Sequence, residues 1–177
     1  HGTLFSGKSM LRTLKDLFDT FTTPAGESSL ERDASLKLAT AVLLVDVLRA
    51  DKSDSPEEHD MLLKILHEKF ALADGEVNRL MELAESTAKN ASDYFQFTSR
   101  INDSMAHPQK IQLVENLWQI AYADGHLDAN ENSLIGKIAE LLHVTQGEYI
   151  GAKMRAKEAA SLACRATDNA FHPVLNP

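Results

Sequence analysis

Leu117-Trp118-Gln119-Ile120-Ala121-Tyr122-Ala123-Asp124-Gly125-His126-Leu127-Asp128-Ala129-Asn130-Glu131 reads as the end of one helix, a tight turn and the start of another. Upstream, His107-Pro108 opens a helix whose inward face is Ile111, Val114, Leu117, Trp118 and Ala121, apolar residues at three- and four-residue spacing. Gly125 can adopt the left-handed conformation that ends a helix and lets the chain reverse within a few residues. Asp128 is a good N-cap and Glu131 stands at the capping-box position. The apolar stripe Leu134, Ile135, Ile138 and Leu142 follows. The unit is helix, acidic turn, helix.

The same pattern extends in both directions. A first helix is predicted over Met10–Phe21, ended by Thr22-Thr23-Pro24-Ala25-Gly26. Ser28-Ser29-Leu30-Glu31 has the form of a capping box and starts a long helix to about Ala50. Ser55-Pro56-Glu57-Glu58 combines a Ser cap, a Pro at the first helical position and a Glu reaching back, ahead of Leu62, Ile65, Leu66 and Phe70. Asp74-Gly75-Glu76 opens a helix striped with Val77, Leu80, Met81 and Ala84, and another is expected from about Ser92 to Met105. Thr145-Gln146-Gly147-Glu148 caps the last, which runs to about Thr167. No stretch alternates with period two for long enough to make a strand. The expectation is an all-α bundle of seven to eight helices: an N-terminal segment over 1–27, one helical domain over 28–167 and a frayed tail over 168–177.

Composition narrows the function classes. Lys and Arg total 18 against 26 Asp and Glu, a net charge of −8. Phosphate contacts need clustered cations, so nucleic acid is not the expected partner. Cys164 is the only cysteine, which excludes an intramolecular disulfide and a multi-cysteine zinc site, and its Ala-rich setting suggests a helix position. The most apolar run, Leu38 to Ala50, is too short to span a bilayer and carries Asp46. No signal-peptide pattern opens the chain, so a cytoplasmic location is expected. Gly2-Thr3-Leu4-Phe5-Ser6-Gly7-Lys8-Ser9 matches the phosphate-loop pattern, but a working loop follows a buried strand and only His1 precedes this one. We read the match as accidental, and Met10 as a candidate initiator.

Shifting the chain by 73 positions overlays Leu44 on Leu117, Ala50 on Ala123, Asp51 on Asp124, Glu58 on Glu131 and Ile65 on Ile138. Polar turn residues match, not only the apolar period, which favours a repeat over chance. Two copies are too few for an open solenoid, so two pseudo-symmetric helical repeats closing into one bundle are expected.

The acidic turns are where chemistry is expected. Asp124, Asp128 and Glu131 crowd one turn, and carboxylate oxygens at such spacing suit a hard cation such as Ca²⁺ or Mg²⁺. His126 offers a nitrogen that would shift preference toward Zn²⁺. The spacing is not that of an EF-hand, and helix capping by itself accounts for Asp128 and Glu131. The first-half turn, Ala50 to Glu58, carries Lys52 in place of the Gly and Ser55 in place of the Asp. If the repeat brings the turns together, Asp51, Asp54, Glu57, Glu58, Asp124, Asp128 and Glu131 share a face that demands a counterion or a basic partner. The candidate metal ligands are Asp51, Glu58, Asp124, His126, Asp128 and Glu131.

Trp118 to Asp128, the downstream Glu131, and Ile135 with Ile138 resemble the hallmark of the TerB-like (tellurite resistance protein B) family. Leu44 to Asp51 resembles its first-half counterpart, and Tyr94 to Asn102 the family's connecting helix. The resemblance covers about Leu36 to Lys153. It implies an all-α bundle in two pseudo-symmetric halves with an acidic face, a link to tellurite resistance and stress responses, and binding of metal ions or membrane-associated partners. Lys52 and Ser55 depart from the acidic, Gly-containing pattern and put a first-half contribution in doubt. The expected function is a non-catalytic module binding a divalent cation or a basic partner. The alternative is a protein-interaction module without metal that uses an apolar or aromatic surface such as Tyr94, Phe95 and Phe97. An enzyme is the weakest reading, because no nucleophile or acid–base set is assembled in the sequence. A dimer through the long last helix stays open.

Overall fold

The computed structural model describes residues 29–52, 55–91 and 93–171, with side chains described as far as residue 166. The predicted first helix, the phosphate-loop match, the Ser28 cap, Asp54 and the end of the tail lie outside the described residues. Seven helices follow in order: α1 (Ser29–Ala50), α2 (Pro56–Phe70), α3 (Asp74–Asn90), α4 (Phe95–Ser104), α5 (His107–Ala121), α6 (Ala129–Leu141) and α7 (Gln146–Phe171). No strand forms among the described residues. The fold is an all-α bundle, as the periodicity predicts. The fourth of these, α4, begins at Phe95 rather than near Ser92, with Asp93 Oδ1 accepting the Phe95 N–H at its start.

The long apolar run belongs to the central element. Along α1, Leu38, Ala39 and every residue from Ala41 to Val45 are fully buried. A helix apolar on all sides needs neighbours on all sides. It has them, because α1 packs against α2, α3, α4, α5 and α6. The other helices bury a stripe: Leu62, Ile65 and Leu66 on α2, Val77 and Met81 on α3, Leu113, Val114, Leu117 and Trp118 on α5. α7 packs most extensively on α5. It brings Tyr149 to 5.5 Å from the Trp118 ring centroid and Lys153 Nζ to 4.8 Å above that ring.

Local signals set the boundaries. Ser55 Oγ accepts the Glu58 N–H at 3.3 Å, and Asp128 Oδ1 accepts the Asn130 N–H at 2.7 Å. Glu76 and Gln109 reach back to the N–H groups of Ala73 and Ala106, each satisfying a donor that a helix start leaves open. Gly125 has φ +82°, the left-handed geometry its turn requires. These caps deliver the ends of α1 and α5 and the starts of α2 and α6 to one place.

Candidate metal centre

Two sequence-distant turns build the site. Asp51 lies just past α1 and Asp124 just past α5, while Glu58 and Glu131 sit in the first turns of α2 and α6. Both glutamates occupy the third helical position after their caps, Ser55 and Asp128. Asp51, Glu58 and Asp124 each present a carboxylate oxygen within 4.8 Å of the others.

The two glutamates are the unusual members. Glu58 and Glu131 are each 0% exposed. At the capping-box position a glutamate ordinarily reaches back to its cap's N–H. Glu131 does so through Oε1, which accepts the Asp128 N–H at 3.3 Å, while its buried Oε2 receives no N–H or hydroxyl donor and the carboxyl lies against that of Glu58. Glu58 departs from the expected capping role altogether. Both its oxygens are buried and receive no N–H or hydroxyl donor; they face the Asp51 and Glu131 carboxyls, with which they hydrogen-bond only by sharing a proton, and Ser55 Oγ donates to the neighbouring Glu57 instead, at 2.8 Å. A buried polar oxygen left unpaired is costly, and a buried carboxylate more so.

Electrostatics follow from the crowding. Burial pushes the Glu58 carboxyl far above its ordinary 4.5, and the adjacent Asp51 and Glu131 carboxyls push the same way. Burial also raises Glu131, with the Asp51 and Asp124 charges adding to it. Like charges at close range favour the protonated forms unless a cation is present.

Of the sequence-predicted ligands, Asp51, Glu58 and Asp124 come within 4.8 Å of one another, and Glu131 lies against Glu58 at the edge of that set. Asp128 does not join them: its carboxylate caps α6. His126 is exposed and stands outside the ligand group, and only its backbone N–H touches the centre, donating to Asp124 Oδ1 at 2.9 Å. Glu57 is turned to solvent and to Ser55. Lys52, which put the first half in doubt, is exposed, and Asp51 and Glu58 from that half are both in place. Of the aromatic candidates for a partner surface, Phe97 is fully buried, Tyr94 is partly buried against the core and Phe95 is 67% exposed.

The donor set fits a cation. It is all carboxylate oxygen, the chemistry of Ca²⁺ and Mg²⁺ sites, and three of its buried oxygens receive no donor from outside the carboxyl cluster. A cation there would be held by Asp51, Glu58, Asp124 and Glu131, and would supply the positive charge those oxygens lack.

An all-α bundle with an acidic centre between helix ends defines the class. The chain belongs to the TerB family: the family model described as Tellurite resistance protein TerB matches residues 37–154. That span contains α2 to α6, the larger part of α1 from Lys37 onward and all four centre residues. No curated protein and no solved structure matches the chain. Among the described residues, no helix is long and apolar enough to cross a membrane.

Proposed function

We propose that the domain is a non-catalytic binding module that holds a hard divalent cation at Asp51, Glu58, Asp124 and Glu131. The observation that carries the reading is Glu58, a fully buried carboxyl whose hydrogen-bonding neighbours are themselves carboxyls, Asp51 and Glu131. A proton satisfies such a group only in part, because three further carboxyls surround it. A divalent cation satisfies all four at once.

All-oxygen ligation favours Ca²⁺ or Mg²⁺ over Zn²⁺, since His126 stands outside the group. A non-catalytic role is supported by the spread of the other reactive side chains. His107 pairs with Glu148, His67 lies 4.0 Å from Asp74, and Cys164 is on α7. A role in tellurite or stress resistance, in the cytoplasm and through a protein partner, belongs to the same reading and rests on the family.

Calorimetric titration of the chelator-treated protein with Ca²⁺, Mg²⁺ and Zn²⁺ tests it. Saturable binding of Ca²⁺ or Mg²⁺, abolished in both Asp124→Ala and Glu58→Gln, is expected. Absence of heat from all three ions at several temperatures would sink the proposal.

A further inference from the structure

A groove of about 1100 Å³ runs between α2, α5 and α7, with Asn116 and Gln119 on its floor. Met61 and Ile65 stand on one wall, Ala156 and Ala160 on the other. α2 and α5 run antiparallel along it, because Lys69 meets Asn116 at one end and Glu58 meets Asp124 at the other. Pockets that bury small ligands hold roughly 300–1,000 Å³, so the groove has room for one.

One residue fixes the polarity of the floor. As an ammonium, Lys69 has donors and no acceptor. Its Nζ donates to Asn116 Oδ1 at 3.1 Å, so the oxygen of that amide faces α2 and its nitrogen faces away. Asn116 is 7% exposed, and its Nδ2 donates to Gln119 Oε1 at 2.9 Å, which orients the second amide in turn. Both carbonyl oxygens are engaged within this chain of hydrogen bonds. What it leaves for an occupant is donors: the other N–H bonds of Lys69 and the amide NH2 of Gln119, two residues that line the groove.

The same end carries a cation without a counter-charge. Burial lowers the Lys69 pKa, and no carboxylate is among the groups acting on it. Lys64, Lys157 and Arg165 line the groove too. Among the described residues none of these four cations forms an ion pair. Three carboxylates share the lining. Asp124 belongs to the metal centre, Glu57 is exposed at that same end and accepts from Ser55, and Glu68 is exposed and makes no ion pair. None of the three neutralises Lys69.

Unengaged donors around a half-buried cation select an anion, because hydrogen bonds to a charged acceptor are the strong ones. Two donor groups suit the two oxygens of a carboxylate. Eight residues of α2 separate Lys69 from Met61, about 12 Å at 1.5 Å per residue, and the walls over that length are apolar at Met61, Ile65, Ala156 and Ala160. We propose that the groove binds a small organic carboxylate, its charged end on Lys69 and Gln119 and its apolar chain along Ile65 and Met61 toward the metal centre. Neither anchor is a ligand of the cation, so the two sites are tested apart.

Hexanoate is the probe. Titrated into the isotope-labelled, chelator-treated full chain, it should shift the side-chain amide resonances of Asn116 and Gln119 saturably. Acetate and hexanol should each bind at least ten-fold more weakly, and hexylammonium not at all. Gln119→Glu keeps an acceptor for Asn116 Nδ2, and with it the internal hydrogen bonds, but replaces the free NH2 with a carboxylate oxygen. It should abolish hexanoate binding. Lys69→Met removes the charge and keeps the stem, and should weaken hexanoate at least ten-fold while leaving hexanol unchanged. A merely structural Lys69 would weaken both alike. That result overturns the proposal, as does the absence of a saturable shift with hexanoate, equal affinity for hexanol, or full binding by Gln119→Glu.

Discussion

Glu58, Glu131 and Asp46 share one property: burial raises all three carboxyls, Asp46 to about 6 against the nearby Arg49. A carboxyl raised in the folded state binds a proton more tightly there than in the unfolded chain. Its contribution to stability is complete below the ordinary carboxyl range and is lost as pH climbs through the folded value. For Glu131 and Glu58 that loss begins at the ordinary 4.5 and extends upward, and for Asp46 it begins at 3.8. The cation-free protein should therefore melt at lower temperature at about pH 8 than at about pH 5, by roughly 2–4 °C for each kcal/mol of net penalty. Differential scanning calorimetry across that range measures it. Glu58→Gln should flatten the profile, whereas an unchanged slope would mean that Glu58 is not the buried titrating group. Cation affinity should run the other way and strengthen as pH rises, because the ligands must lose their protons to bind.

Capping geometry decides what each helix end contributes to the site. Asp128→Ala removes the N-cap of α6 and should cost about 1 kcal/mol. It leaves all four ligands in place, so cation affinity should fall far less than in Asp124→Ala. Comparable losses of affinity in the two variants would move Asp128 from cap to ligand. At the far end of α2, Ala71 closes the helix with φ +51°, a left-handed conformation that strains any side chain with a Cβ. Ala71→Gly should raise stability by about 0.5–1 kcal/mol in a denaturant titration, after the greater entropy of glycine in the unfolded chain is subtracted. The helices were readable in the sequence because such ends are written locally: Ser55-Pro56, Asp128 with Glu131, and Gly125 each announce themselves within a few residues. The membership of the centre was readable only in part. Shifting the chain by 73 positions pairs Asp51 with Asp124 and Glu58 with Glu131, yet spacing alone does not separate a carboxyl that caps from one that ligates. Asp128 and Glu131 look alike in sequence. The packing that buries Glu131 Oε2 while leaving Asp128 on its cap is tertiary, as is the inward turn of Glu58 away from the role its position suggests.

At the scale of the whole molecule, the centre joins segments that are far apart in the chain. Asp51 and Asp124 follow α1 and α5, Glu58 and Glu131 lead α2 and α6, and α1 lies packed against α2, α5 and α6. One cation on these four carboxylates would tie four helix ends together. In the unfolded chain, ligands 73 residues apart have no common position. Such an ion would bind the folded state selectively and so stabilise that state by mass action. At a free concentration one hundred times its Kd the gain is about 2.7 kcal/mol. For a domain of this size that is a rise in Tm of roughly 5–11 °C. The rise should reverse with chelator and be absent in Asp51→Ala, whose lost carboxyl comes from the half of the chain that lacks the Gly-containing turn. It should also be absent with NaCl at matched ionic strength, which separates a bound ion from screening of an acidic surface. Equal stabilisation by NaCl and by Ca²⁺ or Mg²⁺ would reduce the centre to a cluster of repelling charges and remove its role in joining the two turns.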